Sequence, residues 1–158
     1  MIEIGAKLTV EKTVTPELTA QVAGSGLLPV FGTPFMTAMM ENAAAGVLQQ
    51  YLEEGKGSVG THLNVSHDAP TPVGMKVWAE AEITAVSENG KMIDFAVKAW
   101  DEKGPIAQAP TPGRSSPMTA SSASATASWI SKSFESKTAP VFVGYGGCFC
   151  KLYLLYAG

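Results

Sequence analysis

The order of patterns along the chain predicts an α+β fold in which one long helix lies on an antiparallel sheet. Two observations carry this. A single helical segment, GTPFMTAMMENAAAGVLQQYL, fills residues 32–52, and three alternating runs follow it, two of them joined by Asn89-Gly90. The 158 residues, 46% of them hydrophobic, suffice for one ordinary core.

Taken in order, Ile2 to Val14 alternates weakly and reads as a strand. Thr15-Pro16 opens a short helical piece through Val22, and GSGLLP makes a loop. The Thr33 hydroxyl suits a helix cap and Pro34 the first helical position. That helix is expected to run to about Leu52, ahead of Gly55. Val59, Thr61, Leu63, Val65 and His67 then share one face of a strand, with Gly60, His62, Asn64 and Ser66 on the other. Met75–Val86 and Ile93–Ala99 alternate, and Asn89-Gly90, both tolerant of positive φ, join them as a hairpin.

Several function classes lack support. The net charge of −3 argues against nucleic acid, which demands a basic surface, and favours a small-molecule or protein partner. The opening MIEIGAKLTVEKTV has no apolar run of the signal-peptide kind, so a cytoplasmic location is expected. The apolar end VFVGYGGCFCKLYLLYAG is broken by glycines and Lys151 and is not read as a membrane span. Cys148 and Cys150 lie two apart, without a CxxC signature, and are expected as free thiols; no metal site is expected. There is no GxSxG elbow, HExxH or Walker loop.

Composition breaks at Gln108. Before it stand 7 Lys and 13 acidic residues, and after it 3 Lys, 1 Arg and 1 acid, with nine of the thirteen serines. The run SSPMTASSASATASWISKSFESK has neither apolar period, so residues 109–158 are expected to be a poorly structured tail to a domain of residues 1–108.

Chemistry is concentrated at three positions. On a helical wheel Glu41 falls with Thr37, Ala38, Ala44, Ala45 and Leu48, a face meant for burial, whereas Asn42, Gln49 and Glu53 form the polar stripe. A carboxylate taken out of water must be paired, protonated or set in a wet pocket. His67 points with the apolar set of its strand, and a carboxylate and an imidazole both aimed inward suggest a reactive site more than either does alone. Thr33 caps its helix and can also turn its hydroxyl to a substrate.

The segments FGTPFMTAMMENAAA and EGKGSVGTHLNVSHDAPTPVGMKV resemble the fluoroacetyl-coenzyme A thioesterase family of hotdog-fold proteins, over residues 1–108. The match lies in Thr33 with Glu41 eight residues on, and in Gly60-Thr61 ahead of His67-x-Ala69-x-Thr71-Pro72-x-Gly74. The resemblance implies a hotdog dimer, its sheet wrapped around one central helix, with an acyl-CoA thioester site between subunits. It implies Thr33, Glu41 and His67 as catalytic residues, Gly60 and Thr61 as substrate-binding ones, and no cofactor beyond the coenzyme A of the substrate. Glu41 would act as nucleophile or base, His67 would polarise or move protons, Thr33 would orient, and an amide near Gly60 would meet the thioester oxygen. The expected function is hydrolysis of a small acyl-CoA thioester. The alternatives are a non-catalytic acyl-thioester binding module, a dehydratase of the same fold, and an inactive product of a shifted reading frame.

Two departures stand out. GSGLLPVFG has leucines where the fluoroacetate-selective member has an aromatic lid, so fluoroacetate selectivity does not carry over. The family's Gly-Thr-His-x-Arg and final strand are replaced by Ala109-Pro110-Thr111-Pro112-Gly113-Arg114. Read one frame over, Gln108 to Ser116 can encode Gly-Thr-His-Thr-Arg-Ala-Val-Ile, and Met118-Thr119 yields an Asp, which points to a frameshift near Gln108.

Overall fold

The computed structural model describes residues 1–107 and 149–156, the last eight by backbone path and pairing. Strands β1 (Lys7–Thr13), β2 (Lys56–Asn64), β3 (Lys76–Val86), β4 (Met92–Asp101), β5 (Gly104–Ala107) and β6 (Phe149–Tyr156) form one antiparallel sheet, and helix α1 (Thr33–Gln49) packs on it. The strand order is β1-β3-β4-β6-β2, with β5 paired to β4.

Period-two patterning builds the inner face. Val77, Ala79, Ala81 and Ile83 of β3 and Ile93, Phe95, Val97 and Ala99 of β4 point inward and are buried. Against them α1 sets Met36, Met40, Ala43, Ala44, Val47 and Leu48. Alanines on both surfaces let helix and sheet approach closely, and each large apolar side chain buried contributes about 1.5–3 kcal/mol. The outer face carries a cross-strand ladder instead: Lys7–Glu82 at 2.8 Å, Lys98–Glu80 at 2.8 Å, Lys76–Glu11 at 2.6 Å, and Trp78 stacked on Trp100 with centroids 6.3 Å apart.

Four local expectations are corrected. Gly32, not Thr33, is the cap residue of α1, no side chain caps the helix, and the helix stops at Gln49, three residues before Leu52. In the β3–β4 hairpin only Gly90 has positive φ, at +68°. Its amide bonds the Ser87 carbonyl at 2.8 Å while the Asn89 side chain accepts from the Lys91 amide at 3.0 Å, a tight turn closed by one left-handed glycine. The third correction concerns β2, which ends at Asn64. Its pairing with β6 slips between Gly60 and His62, so Thr61 is an extra residue and the alternation expected through His67 is broken. His67 therefore lies in the loop after β2, not on a strand face.

The last correction concerns eight residues of the segment expected to be poorly structured. Phe149–Tyr156 forms β6, inserted between β4 and β2. Both neighbours would otherwise show an unpaired edge, and eight consecutive apolar-rich residues satisfy them. β5 and β6 run along the same track of β4: Ala107 pairs with Ala99 and Phe149 with Ala96. The serine-rich run and Cys148 lie outside the described residues.

Candidate active site

Two loops meet at the start of α1. One, from Leu18 to Gly32, is closed on itself by the Ala20 amide on the Val30 carbonyl (2.8 Å) and the Gly32 amide on the Leu18 carbonyl (2.9 Å). Gly32 suits this junction, since a Cβ would lie 3.1 Å from the Ala20 nitrogen and would push the loop aside by a few tenths of an ångström. The second loop follows β2 and carries His67. The Phe31 amide donates to the Thr71 carbonyl at 2.8 Å and joins the two, while the Asp68 amide donates to the Ile106 carbonyl of β5 at 2.8 Å.

Between the loops lies a cleft of about 240 Å³, lined among others by Phe31, Thr33, His67, Ala69 and Pro70. Inside it Thr33 Oγ1 and His67 Nδ1 share a hydrogen bond of 2.8 Å. The hydroxyl expected to cap the helix is thus spent on the imidazole. His67 Nε2 is buried and has no hydrogen-bond partner among the described residues, so one ring nitrogen keeps its hydrogen-bonding capacity. Burial holds the imidazole below its ordinary value near 6.5, with the Ala69 backbone and the Asp68 carboxylate pulling the other way. Its burial therefore favours the neutral imidazole.

Glu41 stands two turns further along α1, half-buried at the margin of the packed face beside Leu48, not within it. Eight residues of helix separate it from Thr33 by about 12 Å along the axis, with roughly 80° of rotation. Gly60 and Thr61 are exposed on β2, at the slip in its pairing.

The sequence profile of the fluoroacetyl-CoA-specific thioesterase (FlK) family matches residues 14–112, a span that holds all of these positions. This chain belongs to that family. A fluoroacetyl-CoA thioesterase from Streptantibioticus cattleyicolor is 42% identical over 72 residues, which cover 46% of this chain and 50% of the relative. The chain thus spans about half the length of the curated relative it matches. Among solved structures, a mutant of the fluoroacetyl-CoA-specific thioesterase FlK superposes with a TM-score of 0.68 at 22% identity, covering 99% of this chain and 90% of the other. A hot-dog-like protein from Thermanaerovibrio acidaminovorans gives 0.66 at 18% identity, covering 99% and 85%. A thioesterase superfamily member from Thermus thermophilus gives 0.62 at 30% identity, covering 68% and 78%. The fold is the hotdog, an antiparallel sheet with one helix.

Of the residues expected in the site of a member of this thioesterase family, the structure joins Thr33 to His67 directly and leaves Glu41 without a hydrogen bond to either. One residue escaped the sequence reading. Asp101 continues the inward row of β4 two positions beyond Ala99 and is only 6% exposed, accepting from Thr71 Oγ1 at 2.8 Å. Extending the count of alternate positions past Ala99 would have found a carboxylate on the core face.

Proposed function

We propose that this chain hydrolyses a small acyl-CoA thioester to the free acid and coenzyme A, with Thr33, Glu41 and His67 as its catalytic residues. The observation that carries the reading is the Thr33–His67 hydrogen bond in a cleft, within a chain of a thioesterase family. Glu41 acts on the thioester carbonyl, directly or by taking a proton from the attacking water. The carbon–oxygen bond forms, the carbon–sulfur bond breaks, and the departing thiolate takes up a proton. Neutral His67, oriented by Thr33 at Nδ1, serves this proton traffic through Nε2. Gly60 and Thr61 lie where β2 departs from regular pairing, and an amide there meets the thioester oxygen. No cofactor is needed beyond the coenzyme A carried by the substrate.

The site is completed in a homodimer in the cytoplasm. Two features support the dimer: β2 is a nine-residue outer strand of the sheet, and Glu41 stands well along the helix from its own Thr33. The test follows release of thiol from a panel of short acyl-CoA thioesters with a thiol-reactive dye. Glu41→Gln should lose about 10³-fold in kcat while keeping its melting temperature. Equal rates for Glu41→Gln and the parent would reject the reading, and light scattering reports the dimer.

We also read residues 109–158 as the product of a shifted frame near Gln108. The break in composition at Gln108 and the alternative reading of Gln108 to Ser116 support this. Sequencing the gene across codons 105 to 112 decides it, and an independently confirmed frame removes it.

A further inference from the structure

A carboxylate on the core face needs partners, and Asp101 has three. Oδ2 accepts from Thr71 Oγ1 at 2.8 Å, and Oδ1 from the amides of Lys103 at 2.8 Å and Gly104 at 3.2 Å. The last two shape the β4–β5 turn. The first leaves the turn altogether and reaches the loop of His67. Thr71 is itself fully buried, and its carbonyl accepts the Phe31 amide at 2.8 Å. One residue thus grips β4 through its side chain and the arm of Thr33 through its backbone, four positions after His67. With the Asp68 amide held by Ile106 of β5, the β4–β5 hairpin becomes the frame to which the imidazole is referred.

We propose that Asp101, acting through Thr71, is a positioning residue that sets the Thr33–His67 hydrogen bond. The inference rests on the reading of His67 as part of the catalytic set. Removing the Thr71 hydroxyl leaves Asp101 Oδ2 buried with an unmet acceptor and frees the loop to shift, and a displacement of about 1 Å can cost roughly 100-fold in rate.

The test compares the full chain with Thr71→Val, which keeps shape and loses the hydroxyl, and Thr71→Ser, which restores it. Two readouts are taken: kcat and KM for acetyl-CoA, and the ring nitrogen resonances of the two histidines, exposed His62 serving as internal control. The expected result for Thr71→Val is a kcat lowered about 10- to 100-fold with KM within about twofold, and a displaced His67 Nδ1 resonance with His62 unmoved. Thr71→Ser should return both to the parent values. Unmoved His67 resonances in a folded Thr71→Val protein overturn the proposal whatever the rate, as does an unaltered kcat. A parent chain inactive on every acyl-CoA defeats the functional reading instead, and the resonances alone then decide the positioning role. Should Thr71→Val fail to fold, Asp101→Asn takes its place, and unfolding of both variants reduces the contact to scaffolding and overturns the proposal.

Discussion

The residue on which most turns is His67, whose environment makes a pH prediction with a definite sign. Burial lowers its folded value below the ordinary 6.5. Between the two values the unfolded chain binds more protons than the folded one, so stability falls as pH drops through that window and is untouched above 6.5. The same depression moves the acid limb of kcat/KM, which reports the free enzyme and, with neutral imidazole as the working form, should have its midpoint below pH 6.5. A pH–rate profile checks this: a midpoint above that value would contradict the depression, and activity that falls as pH rises through the histidine range would mean the protonated ring is used. Thr33→Val should cost activity without costing the helix, because its hydroxyl serves the ring and not the helix end. About tenfold or more in kcat is expected, with helical circular dichroism unchanged.

At the scale of elements, strands with clean alternation were legible: the reading of Met75–Val86 matches β3, and Ile93–Ala99 lies inside β4, because a half-buried sheet imposes period two on the sequence. What could not be read were events decided by partners distant in sequence. Thr33 looks like a cap to any local rule, and only the imidazole 34 residues away makes it something else. The slip at Gly60–His62 depends on β6, whose residues lie nearly ninety positions later, so no local pattern in β2 reveals it. The hairpin and the place of its turn are legible, but not the turn's conformation, since Asn89 uses its side chain to close the bend and leaves the left-handed conformation to Gly90. Gly90→Ala should therefore destabilise by about 1 kcal/mol, lowering the melting temperature by roughly 4 °C. No change in melting would refute the turn geometry.

For the molecule as a whole, the sheet is held together at one central place. β6 separates and joins β4 and β2, and among the described residues β2 has no other strand beside it. A chain shortened to residue 148 should lose β2 from the sheet and expose the β4 edge, giving aggregates by light scattering in place of a defined species. A soluble product of unchanged size would show that β2 finds another partner. The same topology dictates an order of events during synthesis. A ribosome that has translated β1 through β5 has already released β2 from its tunnel, yet has not made the strand that fastens it. Nascent β2 must therefore wait, its polar backbone open to any passing extended segment, and chaperone demand should peak before Phe149 to Tyr156 emerge.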